Sequence, residues 1–495
     1  MSLPIAQILT MPEGKTLEFK RDLSSPKNII KTLVAFSNTA GGRLLIGVED
    51  GSHEISGVEN PLDEEERLCS LIADSIRPRL VPNVELLAVG EKTLLGVEVY
   101  PSGSRPHWVK KEGQADGVYV RLGSTNRKAD PELISELQRS ASGVSYDEMP
   151  VPDLSGDDLD LEAAQKNFRG VRELSEEELV TLKFLTRVQG NLVPTRGAML
   201  LYGKKRDFYF PDAWIQCGRF MGTDKAYIFD HIDINENLPD AVESVMLFLK
   251  KHAFRGADFS EIRRKDVWSI PLTILREALI NAIVHADYSQ KGAPIRVSFF
   301  DDRIEIENPG ILLPGMTIED VKQGVSKIRN RVIARVFREL DLIEQWGSGF
   351  RRILKEAEEL NLPEPVMEEI GMRVRVTVFL AEAIELQLDQ ESDRDQDGTQ
   401  SPTQSPTQSP TQSDDSVQKL LLALVDGDKS SGTLRNILNL KHRQTFRDNY
   451  LHPALKHDYI EMTIPDKPMS SKQKYRLTEK GRAFLAGDQE GVHES

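Results

Sequence analysis

In the stretch REALINAIVHADYS, residues 276–289, the residues Glu277, Asn281 and His285 recur every fourth position. At about 100° per residue, the three fall within about 80° of one another and share one helix face. The positions between them, Ala278, Leu279, Ile280, Ala282, Ile283 and Val284, are those of a buried helix. A polar row on a core helix is costly unless something occupies it. A carboxylate and an amide one turn apart, roughly 5–6 Å between Cβ atoms, can between them hold an ion and polarise a water. The competing reading is a solvent-exposed face of satisfied polar groups, with His285 bonded to a backbone carbonyl.

Such a helix needs a core to position it, and 495 residues are enough for roughly three or four domains. Hydrophobic content of 39% and charged content of 28% are those of a water-soluble protein, and no apolar run reaches membrane-spanning length. The start, MSLPIAQILTMPEGKTLEFK, lacks the basic-then-apolar order of a secretory signal. Cys69 and Cys217 stand far apart without CxxC spacing, which argues against a zinc site or disulfide framework and fits a reducing cytoplasm. The net charge of −15 opposes nucleic acid as a partner only if it is spread evenly.

It is not spread evenly. Residues 389–415 read DQESDRDQDGTQSPTQSPTQSPTQSDD, an acidic run followed by SPTQ repeats, with no large apolar side chain to offset the entropy of ordering. A linker is therefore expected over 386–415, with a small domain at 416–486 beyond it. Before the linker, GGRLLIGVEDG (41–51) and KTLLGVEVYP (92–101) have strand character, and EEERLCSLIADSI (64–76) has helical periodicity. A mixed domain is expected over 5–140. The acidic stretch YDEMPVPDLSGDDLDLEAA (146–164) opens a connecting α/β region over 141–260, and a further domain follows over 261–385. The fold class expected is multidomain α/β (α+β).

The segments EGKTLEFKRDL (13–23), KTLVAFSNTAGGRLLIGVEDG (31–51) and GVYVRLGSTNRKAD (117–130) resemble Schlafen-AlbA domains over about residues 5–135. The resemblance implies nucleic-acid binding. Arg121, Ser124, Thr125, Arg127 and Lys128 combine cations and hydroxyls in one strand-turn element suited to phosphate oxygens, and Lys20 lies on the EFK strand. Some Schlafen proteins are RNA nucleases with three carboxylates. Glu13, Glu18 and Asp50 are the matching positions, and clustered carboxylates can hold Mg²⁺ or Mn²⁺. The alternative for Glu18 is a structural ion pair within the domain.

REALINA resembles the N-box of the GHKL ATPases, in which a helix carries ExxxN. The resemblance implies ATP with Mg²⁺ held by Asn281, and Glu277 as the base that activates water in members that hydrolyse ATP. HADYS, then SQKGAPIRVSFFDDRIEIENPGILLPG (289–315) and GVSKIRNRVIARVFRELDLIEQWGSGFRRI (324–353), follow in the order of the divergent GHKL domain found after Schlafen-AlbA domains. By that resemblance His285, Asp287, Asn308 and Gly310 border the nucleotide. ENPG stands in place of the adenine-recognising DxGxG box, which leaves that role to Asn308 or Glu307. Gly347, Ser348 and Gly349 match the glycine loop on the phosphates, where backbone N–H groups at a helix start favour an anion; a structural helix cap is the alternative. Related sequences read HRDYS where this chain has Ala286. Relatives are named as RecG-like helicases, but this chain has no GxxxxGK[ST] phosphate loop and no helicase motor is expected.

Beyond the linker, SVQKLLLALVDG (416–427), GTLRNILNL (432–440) and KHRQTFRDNYLHPALKHDYI (441–460) read as helices. A strand, a proline-containing loop, a second strand and a closing helix follow. This order resembles a winged helix. Residues 429–480 hold 11 Lys and Arg against 5 Asp and Glu, a net of +6. Lys441, Arg443, Gln444, Thr445 and Arg447 would reach the major groove, and Lys472, Lys474 and Arg476 would meet phosphates from the wing. The expected protein is a cytoplasmic ATP-binding regulator that binds DNA (or RNA), touches no membrane and forms a homodimer or higher homo-oligomer. The rival readings are a metal-dependent nuclease gated by ATP and an ATP-sensing protein-binding scaffold.

Overall fold

The computed structural model describes residues 4–253, 255–258, 265–343, 349–381, 418–425, 427–438, 446, 450–463 and 474–487. The chain divides into two compact units, Met1–Gln390 and Glu391–Ser495. Among the described residues no helix is long and apolar enough to cross a membrane.

The first unit begins with a four-stranded sheet. Strand β1 (Leu17–Lys20) pairs in parallel with β2 (Gly42–Ile46), which joins β4 (Lys92–Val99) and then β3 (Asn83–Val89) in antiparallel fashion. Helix α1 (Pro26–Asn38) runs from β1 to β2, with Ile29, Ile30, Leu33, Val34 and Phe36 in the core beneath the sheet. A hairpin of β5 (Tyr119–Leu122) and β6 (Thr125–Lys128) turns at Gly123 and Ser124. Helix α2 (Pro131–Ser142) follows. Asp130 caps its first turn by accepting the Leu133 N–H at 2.7 Å, Pro131 starts it and Gly143 ends it in the left-handed region, as local propensity dictates.

The larger sheet has six strands in the order β8-β7-β9-β10-β12-β11. They are β7 (Ile215–Phe220), β8 (Ile228–Ile234), β9 (Ile295–Phe299), β10 (Arg303–Pro309), β11 (Val366–Ile370) and β12 (Arg373–Phe379). Only the β7–β9 pairing is parallel. Helices α3 (Leu238–Lys251), α4 (Leu272–His285), α5 (Arg331–Glu339) and α6 (Gly349–Glu359) share one hydrophobic core with it, which runs from Leu159 to Leu380. The boundary expected at 260 thus falls inside one core: β7 and β8, from the expected connecting region, complete the sheet of the following domain. The physical reason is that a one-sided sheet buries its face only with all its strands and helices in place.

Helix α5 has no cap of its own. Asp147, far back in the chain, accepts from the Val332 and Ile333 N–H groups at 2.6 and 3.0 Å and from the Ser145 hydroxyl at 2.5 Å. Burial pushes the Asp147 carboxyl up to about 6, against these stabilising hydrogen bonds.

In the second unit, α7 (Ser431–Ile437), α8 (His452–Lys456), β13 (Ile460–Met462), β14 (Tyr475–Leu477) and α9 (Glu479–Gly487) follow in that order. The two strands pair antiparallel, and Leu420, Leu424, Leu434, Phe446, Ala454 and Ile460 contribute to its core. The expected linker and the residues Lys441, Arg443, Gln444, Thr445, Arg447 and Lys472 lie outside the described residues.

Candidate functional site

Helix α4 is apolar on the faces it presents to the sheet and to α5, and this fixes its rotation. Ile274, Leu275, Ala278, Leu279, Ile280, Ile283 and Val284 are buried. The polar row that remains borders a cavity of about 450 Å³ lined by Glu277, Asn281, His285, Asn308, Lys327, Arg329, Gly349 and Arg352 among others. The volume is in the range of small-ligand sites. Its floor is apolar: Ile306, Val374 and Val376 come from β10 and β12, and Phe350 and Ile353 from α6.

One carboxylate organises this wall. Glu277 Oε2 accepts from Arg352 on α6, and Glu277 Oε1 accepts from Asn281 Nδ2 at 3.2 Å. Gly349 starts α6 directly against this pair. A Cβ there would meet Asn281 Nδ2 at 3.0 Å and would crowd Glu277 Oε1 more closely still. Asn281 Oδ1 makes no hydrogen bond among the described residues. His285 lies one turn further along, and burial pushes its imidazole down to about 4, so it is neutral at physiological pH.

The alternation of β10 sorts its residues. Ile304, Ile306 and Asn308 face the cavity side, with Asn308 paired to Val374 and Ile306 to Val376. Asn308 Nδ2 donates to the Pro309 carbonyl at 3.1 Å and the His285 carbonyl at 3.4 Å, which ties β10 to the end of α4. Glu307 has the opposite parity and does not reach the cavity. It accepts from Arg375 at 2.6 and 2.9 Å and lies 3.4 Å from Lys225. Burial opposes its ionisation, but these cations outweigh burial and hold its carboxyl below the usual range. Of the two residues expected at adenine, Asn308 therefore lines the cavity and Glu307 does not.

Asp287 is a correction of a similar kind. Its side chain is turned into its own loop, where it accepts from the Ser289 N–H and hydroxyl at 3.1 and 2.6 Å and from Gln290 at 3.2 Å. It does not line the 450 Å³ cavity. Gly310 has φ +98°, and a Cβ would meet Asp287 Cβ at 2.9 Å and Arg329 Cζ at 3.1 Å, so the position is structural. Gly347 and Ser348 lie outside the described residues.

In the N-terminal domain, Glu13, Glu18 and Asp50 are not brought together as a metal-holding group; among the described residues no such group of three occurs. Glu13 Oε1 accepts from the Phe19 N–H at 2.7 Å. Glu18 is buried between Arg121 and Lys20, which lies 2.6 Å away, and Lys20 is 4.0 Å from the exposed Asp50. Arg121 is likewise not a phosphate contact in this arrangement. It is 1% exposed, bonds Glu18, the Gly14 carbonyl and Asn126, and lies over the Phe36 ring. Its guanidinium therefore points inward to the buried Glu18 carboxylate. Ser124, Thr125, Arg127 and Lys128 are exposed on the hairpin; Lys128 pairs with Asp116, and Arg127 has no carboxylate partner among the described residues. In the second unit Lys474 and Arg476 are exposed, and Arg476 lies 3.5 Å from Glu461.

Two residues that line the cavity were not expected from the sequence. Arg352 stands one turn after Gly349 in GSGFRRI, a spacing that puts it on the same helix face. Arg329, in SKIRNR, carries no local signal: it bonds Glu136 on α2 and the Ile311 carbonyl, linking the cavity wall to the N-terminal domain. Lys15 adds a second link, 2.6 Å from Glu369, which also accepts from the Leu312 N–H at 2.8 Å.

A sheet-and-helix domain with a cavity, joined to an N-terminal α/β domain, defines a class, and the comparisons specify it. The Schlafen AlbA_2 family matches residues 13–130, and the family described as "Putative ATP-dependent DNA helicase recG C-terminal" matches residues 292–378. The chain is therefore a Schlafen AlbA_2 domain protein with an ATPase-like domain, a combination that ties it to ATP binding and to nucleic acids. The C-terminal domain of Filamentation induced by cAMP (Fic-like) proteins matches residues 415–478. No curated protein matches. A crystal structure of the DIP2311 protein from Corynebacterium diphtheriae is similar at 19% identity over 97% of each chain, with a TM-score of 0.42. The N-terminal domain of a RecG-related protein from Nitrosomonas europaea is 28% identical over 25% of this chain and 90% of its own, with a TM-score of 0.21. A Fic family protein from Desulfovibrio desulfuricans is 15% identical over 71% of this chain and 77% of its own, with a TM-score of 0.13.

Proposed function

We propose that the chain is a regulator whose nucleic-acid binding is controlled by ATP in the 450 Å³ cavity. The observation that carries the reading is that Glu277, Asn281, Asn308 and Gly349 line one cavity with an apolar floor. A purine fits between Ile306, Val374 and Val376, with Asn308 at its edge. The phosphates lie towards Gly349 and Arg352. Asn281 Oδ1, free of hydrogen bonds among the described residues, is an oxygen suited to Mg²⁺, which binds through few protein ligands and the substrate phosphates. When bound, the ion screens phosphate charge.

Arg352 is the switch element. In this arrangement its guanidinium neutralises Glu277. A triphosphate competes for the same guanidinium, because Arg binds phosphate as well as carboxylate. Its transfer frees Glu277 to accept a proton from water, and it pulls on α6. The Arg329–Glu136 and Lys15–Glu369 pairs carry the change to the N-terminal domain, where the exposed hairpin cation Arg127 contacts phosphates. The C-terminal unit acts as a winged helix whose wing cations Lys474 and Arg476 meet DNA. The output is transcriptional control by a cytoplasmic homo-oligomer, with no translocation.

The test is Mg²⁺-dependent ATP binding by calorimetry on wild type and Asn281→Ala, paired with mobility shifts of a labelled duplex with and without a non-hydrolysable ATP analogue. Saturable binding lost in Asn281→Ala, with a duplex affinity that changes on adding the analogue, is expected. ATP affinity unaffected by the substitution rejects the site.

A further inference from the structure

A second cleft, of about 530 Å³, lies between α2 of the N-terminal domain and the segment 313–331. Five cations line it, Arg105, Arg139, Lys327, Arg329 and Arg331, against two carboxylates, Glu136 and Asp287. Glu136 is taken up by Arg329. Asp287 is bonded by Ser289 and Gln290, although its charge is felt by Arg139. Arg331 lies 3.5 Å from Glu148.

The other three cations hold only neutral acceptors. Arg105 donates to the Ser102 carbonyl at 2.6 Å and the Ser140 hydroxyl at 3.0 Å, and its Nε is buried without a partner. Arg139 donates to the Ser289 hydroxyl at 3.3 Å and lies over the Tyr146 ring, which Arg196 also covers. Lys327 donates to the Pro314 carbonyl at 2.9 Å. Arg105 and Arg139 are half-buried, and burial pulls both guanidinium pKa values down; Asp287 offsets this in part at Arg139, and no carboxylate does so at Arg105. A half-buried cation that lacks a counter-charge is unfavourable unless an anion visits it.

We infer that this cleft is a second anion site, beside the ATP cavity and sharing Lys327 with it, and that it takes a small phosphate-bearing ligand held by Arg105, Arg139 and Lys327. Guanidinium groups suit phosphate oxygens bidentately, and the volume is that of a small-molecule site. The cleft and the ATP cavity share the wall 326–329, so a ligand here bears on the same segment that Arg329 anchors to α2.

The test is calorimetric titration of the full chain with inorganic pyrophosphate. One saturable site per chain is expected. Its affinity falls at least tenfold in Arg105→Gln and in Arg139→Gln, and it stays within twofold in Asn281→Ala. The same titrations with a short single-stranded oligonucleotide assign the source. If the Arg variants weaken it equally, the phosphate is that of a nucleic-acid backbone; if not, it is that of a free phosphorylated compound. Arg331→Gln, at an exposed position, provides a variant whose folding is not at risk and should weaken pyrophosphate by a few-fold; circular dichroism melting checks all four. The inference is overturned if pyrophosphate shows no saturable binding up to millimolar concentration. It is equally overturned if folded Arg105→Gln and Arg139→Gln bind as wild type, or if Asn281→Ala alone abolishes binding.

Discussion

The Arg352 guanidinium and the Asn281 amide hold the Glu277 carboxylate from two sides, one from α6 and one from α4 itself. Glu277 is only 9% exposed. Arg352→Ala leaves a buried carboxylate without its cation, and a loss of about 1–3 kcal/mol is expected, below the full penalty for a buried pair because Arg352 is partly solvated. Adding Glu277→Gln in the same chain should restore part of the loss. Urea unfolding of the two single variants and the double variant measures the coupling. Strict additivity would show that the pair is not an energetic unit.

Gly310 stands where the chain leaves β10, with Asp287 and Arg329 packed against its α-carbon. Gly310→Ala combines a strained φ with two close contacts, one at the Asp287 Cβ, which is held by its backbone, and one at the Arg329 guanidinium. The expected loss is about 2–4 kcal/mol, read as a lower midpoint in thermal denaturation. Gly292→Ala, whose Cβ would meet nothing within 4 Å, should cost clearly less although its φ is also positive. Equal losses would mean that packing at Gly310 contributes nothing.

How much of this was legible in the sequence depends on the range of the interaction concerned. The row Glu277, Asn281, His285 was legible because a helix has one period, and the strands of ENPG and GAPIRVSFF because alternation and turn residues are local. The side of β10 that Asn308 shares with Ile306 follows from parity alone, and parity should have excluded Glu307. What was not legible depends on partners far away in the chain. Arg121 reads as a phosphate ligand by its neighbours Ser124 and Arg127, yet the buried Glu18 captures it across 103 positions. Glu13, Glu18 and Asp50 look like a carboxylate set in one dimension and are separated by their hydrogen bonds in three. The joining of β7 and β8 to the later strands, and the capping of α5 by Asp147, are tertiary facts with no local trace.

The Arg121–Glu18 pair separates structural from binding cations on one hairpin. Arg121→Ala should cost about 2–3 kcal/mol, below the full penalty for a broken buried pair, since it leaves the buried Glu18 carboxylate with Lys20 alone. Arg127→Ala, at an exposed position, should leave stability within about 0.5 kcal/mol. It should also lower nucleic-acid affinity and reduce the slope of log K against log salt by about one. Thermal melts and salt-dependent mobility shifts on the two variants distinguish the roles. An Arg127→Ala protein that binds duplex and single strands as wild type, with an unchanged slope, removes the hairpin from the interface.

His285 gives the site a pH dependence with a defined sign. Burial lowers its folded pKa to about 4 from an ordinary 6.5, so the unfolded chain takes up a proton first as pH falls. Its contribution to stability is fully present above pH 6.5 and is lost as pH falls from there towards 4. The side chain is not fully enclosed, so the loss is about 2 kcal/mol and not the full value of the shift. Asp147 works in the opposite sense, because its folded pKa is raised to about 6 and its effect strengthens as pH falls. The two are separated by comparing wild type with His285→Gln between pH 7.5 and 4.5. Wild type should lose about 2 kcal/mol more than the variant over that interval, while Asp147 cancels in the difference. Parallel curves would place the His285 imidazole in full contact with solvent and rule out its burial beside the 450 Å³ cavity.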